Sequence, residues 1–268
     1  MTDLTPDLAL AQSLIPAVLA AGQATMAVRA RGAAVMEKDD KSPVTEADQR
    51  AEAMLIAAIL AQVPDWSIVA EEAAAAGDVP ETLTDYFWLI DPLDGTKEFI
   101  KGGTDFTVNV GLIHNDCPVL GLVYAPASGR LFYGAVGHGA YEIAVDGLAL
   151  SQPRPLSVAN ADASGLNVVA SKSHRDEQTN DYLSTKNVGK LVSAGSSLKF
   201  CLIATGEADL YPRFGPTCEW DTAAGHAVVL ASGGRVTKTD GTPFTYAKHD
   251  EKFLNPGFVV FGDPSLPL

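Results

Sequence analysis

The stretch YFWLIDPLDGTKEFI, residues 86–100, constrains this chain more than any other. Its apolar opening reads as a buried strand, yet Asp91 and Asp94 interrupt the run and Gly95 and Thr96 close it. Asp-Pro and Asp-Gly are strong turn signals, so a strand that merely ends in a turn would look much the same. The other reading is chemical, because ligand groups in α/β sheets collect at the C-terminal ends of strands. WSIVAEE, residues 66–72, has the same form: Glu71 and Glu72 follow an apolar run, with a solvated loop as the alternative.

Composition narrows the partners. With 268 residues, 47% of them hydrophobic, the chain can fill a sizeable core in one large domain or two closely packed halves. A net charge of −14 argues against nucleic acid or an anionic membrane as the main partner, since those surfaces select for excess Lys and Arg. A small phosphate ester is compatible with acidity if carboxylates first collect divalent cations. Cys117, Cys201 and Cys218 form no CxxC and are odd in number, which supports neither a disulfide framework nor a thiolate metal site. No apolar run approaches the ~18 to 20 residues of a membrane helix. The N-terminus carries acids where a secretory signal carries basic residues, so the expected location is cytoplasmic.

The hydrophobic periods predict a helix from Pro6 to Arg31 and a second from near Thr45 to the break at Pro64. Residues 106–143 alternate short apolar runs with turn residues and read as an antiparallel meander. Residues 151–165, rich in Pro, Gly and small polar residues, are the expected boundary between halves at 1–155 and 156–268. Beyond it the pattern alternates strands and helices, with a last long helix from near Asp221 to the Gly233-Gly234 stop.

Acids from separate segments therefore gather at element ends: Glu71 and Glu72, Asp91 and Asp94, Asp221, and Thr45 with Asp48 in KSPVTEAD. A hard cation such as Mg²⁺ wants several oxygen ligands and leaves positions for water and phosphate, which scattered carboxylates can provide. Helix capping is the alternative for Asp221 and Thr45. The spacing from Asp91 excludes an EF-hand, and no GxxxxGK[ST], GxSxG or HExxH is present. Gly95 and Thr96 are placed at the start of a short helix, where free N–H groups favour an anion.

DPLDGT after EE, and WDTAAG at 220–225, together resemble the signatures of the inositol monophosphatase superfamily of Mg²⁺-dependent, lithium-sensitive phosphatases. DPLDGTKEFI, SPVTEAD, SKSH, GSSLKFCL and LYPRFGPT are similar to its 3′(2′),5′-bisphosphate nucleotidase branch. The resemblance implies a layered αβαβα sandwich of the α/β (α+β) class with the site between its halves. It implies that Glu71, Asp91, the Leu93 carbonyl, Asp94 and Asp221 bind Mg²⁺, two or three ions in all, with Asp48 available to a further ion through water. Glu71 and Thr96 are expected to orient the attacking water, the Thr96 hydroxyl being tied towards Asp48. Gly95, Thr96, Asp221, Ser196, Lys199, Arg213 and, more weakly, His174 are the expected substrate contacts.

The reaction so implied is hydrolysis of the 3′-phosphate of adenosine 3′,5′-bisphosphate to AMP and phosphate, in sulfur assimilation and nucleotide recycling. An inositol or fructose phosphatase of the same fold is the nearest alternative, and an idle metal-binding regulator a more distant one. A small-molecule nucleotide is the expected partner of a monomer or homodimer, with no integral membrane segment and room for a peripheral association at the inner membrane.

Overall fold

The computed structural model describes residues 6–32, 35–37, 43–171 and 176–268. The first helix, α1 (Leu8–Arg31), starts where Asp7 accepts the N–H groups of Ala9 and Leu10 and stops at Gly32, whose φ of +79° suits a residue without Cβ. Contrary to the reading of the sequence, α1 is long and apolar enough to cross a membrane on length and composition alone. Its apolar residues are instead committed to the core, where Leu10, Leu14 and Val18 join Trp88, Val110 and Leu122. The short strands β1 (Val35–Glu37) and β2 (Pro43–Thr45) pair antiparallel, and Thr45 then caps α2 (Glu46–Leu60) in a reciprocal box with Asp48.

Next come β3 (Ser67–Ala70), α3 (Glu71–Ala75), β4 (Tyr86–Asp94) and α4 (Thr96–Ile100). The expected meander follows as β5 (Thr107–His114), β6 (Cys117–Ala125), β7 (Arg130–Ala135) and β8 (Gly139–Asp146), with short β9 (Ala149–Leu150) and β10 (Arg154–Leu156). Among the described residues these form one eight-stranded sheet, ordered β10-β8-β7-β6-β5-β4-β3 with β9 beside β8. The strand β4 bulges at its end, because Asp91 pairs with Asn109 but Asp94 pairs with Thr107, one residue too many on the β4 side. Pro92 has no N–H to give to a ladder, and a bulge is where a strand tolerates that. The bulge is the structural reason for two acids three positions apart: it re-aims the strand end so that both leave the sheet near one place.

The second sheet contains β11 (Leu166–Ser171), β12 (Val188–Ala194) and β13 (Leu210–Arg213), with α5 (Glu177–Ser184) and α6 (Leu198–Ala204) between them in sequence. After β14 (Thr217–Cys218) and α7 (Glu219–Ala231) come β15 (Arg235–Lys238), β16 (Leu254–Asn255) and β17 (Phe258–Phe261). The order among the described residues is β12-β11-β13-β17-β15, and β14 pairs separately with β16.

The core divides by face. Leu183 of α5 packs with Val168, Leu210 and Val259 on one side of this sheet, whereas Val169, Tyr211 and Val260 face α6 and α7 on the other. Phe87, Leu89 and Val123 of the first sheet meet α6 and α7 from the opposite direction. The resulting order is α1 and α2, sheet, α6 and α7, sheet, α5: the αβαβα sandwich. Close approach of α7 to the first sheet depends on Gly121, where a Cβ would stand 2.1 Å from the Ala224 carbonyl oxygen.

Candidate active site

The floor of the site is built by α2, the β4 bulge and α4. Asp48 is 1% exposed at the third position of α2, where its Oδ2 accepts from the Thr45 N–H at 2.8 Å and the Thr45 hydroxyl at 2.7 Å. The Thr96 hydroxyl lies 3.2 Å from Asp48 Oδ1 and 3.0 Å from the Leu93 carbonyl oxygen, so one proton can serve either acceptor. Asp91 Oδ1 accepts from the Leu93 N–H at 2.9 Å, which turns the Leu93 peptide within the bulge. Gly95 precedes α4 with φ +94°, and a Cβ there would meet the Asp105 carbonyl oxygen at 2.8 Å.

Glu71 is the first residue of α3, which Glu52 anchors by accepting the N–H groups of Glu72 at 2.8 Å and Ala73 at 2.9 Å. Sequence reasoning did not single out Glu52. Its signal was available, because Glu52 lies one turn after Asp48 on α2 and so shares its face.

At the far side, α7 begins at Glu219 and not at Asp221: Cys218 is the cap and Asp221 the third helical residue, accepting the Cys218 N–H at 2.8 Å. Capping is thus shared with a local cysteine, and Asp221 sits one half-turn further into the helix than its sequence position implied. Glu219, which sequence reasoning did not single out, is 0% exposed. It accepts the N–H groups of Ala247 at 3.0 Å and Lys248 at 2.9 Å and pairs with Lys248 Nζ at 2.7 Å, tying the start of α7 to a distant loop.

Burial raises Asp91 and Asp221 well above the ordinary aspartate range, and mutual repulsion adds to it: Asp91 feels Glu71, Asp94 and Asp221, and Asp221 feels Asp94 and Glu71. Glu71 also shares a hydrogen bond with Asp91. Asp48 is raised by burial and held back by its bonds to Thr45. Asp94 is raised by burial despite the attraction of Lys199, while burial lowers Lys199 to about 8 despite Asp94. Both partners of this pair shift towards neutrality because desolvation outweighs their attraction.

The cleft between these walls measures about 310 Å³ and is lined by Glu71, Asp94, Thr96, Lys199, Arg213 and Asp221, with Gly95, Ser196 and Tyr211 among the others. Ser197 N–H donates to Asp94 Oδ2 at 2.6 Å, and Lys199 Nζ donates to the Ser196 carbonyl and lies 5.3 Å from the centre of the Tyr211 ring. The Arg213 guanidinium donates to the carbonyls of Gly215 at 3.1 Å and Pro216 at 2.9 Å and reaches Ser171 Oγ at 3.5 Å. His174 lies outside the described residues.

Among the described residues the candidate donors are all oxygen, which suits a hard cation. Among the described residues no group of three or more acids, histidines or cysteines is placed to hold one metal ion. Mg²⁺ does not require three, because one or two carboxylates with water and substrate phosphate suffice. The mutual repulsion of Asp91, Asp94 and Asp221 is what a cation would relieve, so the donor set fits.

A model of the inositol monophosphatase family matches residues 8–256. The chain belongs to that family. It is 44% identical over 243 residues to the 3′(2′),5′-bisphosphate nucleotidase CysQ of Salmonella typhimurium, covering 90% of this chain and 94% of the relative. It is 34% identical to the CysQ of Aggregatibacter actinomycetemcomitans, covering 94% and 92%. Among solved structures, CysQ from Bacteroides thetaiotaomicron, a bacterial member of the family, superposes with a TM-score of 0.77 at 36% identity, covering 94% of this chain and 97% of that one. An IMPase from Thermotoga maritima gives a TM-score of 0.75 at 26% identity, covering 93% and 91%.

Proposed function

We propose that this family member is a Mg²⁺-dependent 3′(2′),5′-bisphosphate nucleotidase that converts adenosine 3′,5′-bisphosphate to AMP and inorganic phosphate. The observation that carries the reading is the polarity of the cleft. Glu71, Asp94 and Asp221 share one cleft with Lys199 and Arg213, so one phosphate can react at the carboxylates while a second is held by the cations. The likeness to CysQ nucleotidases over nine-tenths of the chain supports the same substrate class.

In this reading Glu71, Asp91, the Leu93 carbonyl, Asp94 and Asp221 hold Mg²⁺. The bound metal supplies charge neutralisation at the phosphoryl oxygens and a lowered pKa for water. Thr96 and Glu71 orient the water. With its proton on Asp48, Thr96 Oγ1 presents a lone pair to accept one from water. The water oxygen attacks phosphorus in line as its proton passes to the Thr96–Asp48 pair, the bond to the 3′-oxygen breaks, and the leaving oxygen takes a proton from a second, solvent water. The N–H groups at Gly95 and Thr96 and at the start of α7 face the reacting phosphate, while Lys199, Arg213 and Ser196 hold the 5′-phosphate by charge-assisted hydrogen bonds.

We take the halves as 1–155 and 156–268, with the site between them, and sulfur assimilation in the cytoplasm as the setting. The test is steady-state phosphate release from adenosine 3′,5′-bisphosphate beside inositol 1-phosphate, with Mg²⁺ and with a chelator. A clear preference for the nucleotide that vanishes with the chelator is expected. Preference for inositol 1-phosphate overturns the substrate, and metal-independent release overturns the mechanism.

A further inference from the structure

Thr107 and Asn109 occupy alternate positions at the start of β5 and so point to one face, and Asp105 lies two residues before the strand. Each holds a part of the turn at 195–197, which leads from β12 into α6. Asp105 Oδ2 accepts the Gly195 N–H at 3.1 Å. Thr107 Oγ1 stands 2.8 Å from the hydroxyls of both Ser196 and Ser197, and Ser197 Oγ donates to Asn109 Oδ1 at 2.7 Å. Gly195 is required, because a Cβ there would lie 2.7 Å from Asp105 Cβ. Ser196 is held at φ +50°, a left-handed conformation that a non-glycine residue keeps only when its surroundings impose it.

This row of polar groups is expensive. Thr107 and Asn109 are both 0% exposed, and Asn109 Nδ2 has no hydrogen-bond partner among the described residues. Apolar residues on that face would bury more cheaply, so stability alone does not account for it. The turn has two outputs into the cleft: the Ser197 N–H on Asp94 and the Ser196 carbonyl on Lys199 Nζ. Asp94 belongs to the first sheet and Lys199 to α6, and the distance between the two phosphates of one nucleotide is set by its ribose.

We propose that Asp105, Thr107 and Asn109 are positioning residues that set the turn at 195–197 and thereby the spacing between Asp94 and Lys199. The inference rests on the reading of Asp94 as a metal ligand and Lys199 as the holder of the unreacting phosphate. Thr107→Val keeps the shape of the side chain and removes the hydroxyl that bridges both serines; Thr107→Ser restores it.

For Thr107→Val, the dissociation constant of Mg²⁺, measured by calorimetry on the free protein, is expected to rise about tenfold, together with KM for adenosine 3′,5′-bisphosphate. Thr107→Ser should keep both within about twofold of wild type. A purely structural role would lower the melting temperature and leave both constants unchanged well below it, and that result overturns the proposal. If Thr107→Val does not fold, Asp105→Ala, at a half-buried position, carries the same measurement with the same two outcomes. A wild-type enzyme that binds Mg²⁺ without preferring the bisphosphate would refute the proposed substrate, and the calorimetric comparison would still decide whether the turn sets Asp94.

Discussion

The Ser197 main-chain N–H donates to Asp94 Oδ2 across 2.6 Å, joining the bulged end of β4 to the turn that opens α6. A residue 103 positions away thus supplies a donor that favours the ionised form of a buried acid, against the desolvation that opposes it. The Asp94→Asn variant loses the charge while keeping the volume and an acceptor for Ser197. Turnover should fall below a tenth of wild type at saturating Mg²⁺. Relief of repulsion around Asp91 and Asp221 should leave the melting temperature of the metal-free protein unchanged or higher. Calorimetry beside phosphate release checks both, and substantial retained activity would remove Asp94 from the metal site.

Thr96 has one proton and two acceptors, Asp48 Oδ1 and the Leu93 carbonyl. Thr96→Val removes the hydroxyl without changing shape much, and kcat should drop by roughly 10²-fold or more, the lower range for a lost proton-handling group. KM for the nucleotide should hardly move, and Thr96→Ser should recover most of kcat. A rise in KM alone would mean that Thr96 binds substrate and does not orient water.

Arg213→Ala should cost about ten- to a hundredfold in kcat/KM for adenosine 3′,5′-bisphosphate, from charge-assisted bonds worth roughly 1.5 to 3 kcal/mol each. Adenosine 3′-monophosphate, which has no 5′-phosphate, should be hydrolysed at nearly the wild-type rate. Both substrates are compared at matched salt, since long-range charge would otherwise imitate a contact. Equal losses would place Arg213 at the reacting phosphate or in the support of the fold.

Asp91 and Asp221 are raised in the folded protein, so their contribution to stability is present below the unfolded value near 3.8 and is lost as pH climbs through the folded values. The metal-free protein should therefore lose stability to these acids as pH rises, and Mg²⁺ should restore more at high pH than at low. His226 acts in the opposite direction: burial lowers it from 6.5 to about 3, so it costs stability as pH falls below 6.5. Asp91→Asn separates the two, because its melting temperature minus that of the metal-free wild type should grow as pH rises. A pH-independent difference would show that Asp91 is not raised.

Glu219 is fully buried, with two main-chain N–H donors and Lys248 as partners. Glu219→Ala leaves the Lys248 ammonium and both donors without it and should cost roughly 3 to 5 kcal/mol in denaturant unfolding. A loss below ~1 kcal/mol would show that water replaces the carboxylate.

Local sequence determined most of the elements. Thr45 announced a helix cap, the alternating runs of β5 to β8 announced a meander, and the Asp-Pro and Asp-Gly pairs announced a turn at the end of β4. These features are legible because each depends on residues within one turn or one strand. The apolar face of α1 was legible as apolar but not as covered, since its cover comes from strands about a hundred residues away. Only the tertiary structure decided that Glu52 would hold α3, that Glu219 would reach Ala247 and Lys248, and that Asp105, Thr107 and Asn109 would grip a turn some 90 positions on. The alternation of Asp105, Thr107 and Asn109 was visible in the sequence, but a polar stripe on a strand normally faces water. The layering of α6 and α7 against β5 turned that face inward, and a contact between two segments so far apart leaves no periodic trace in either.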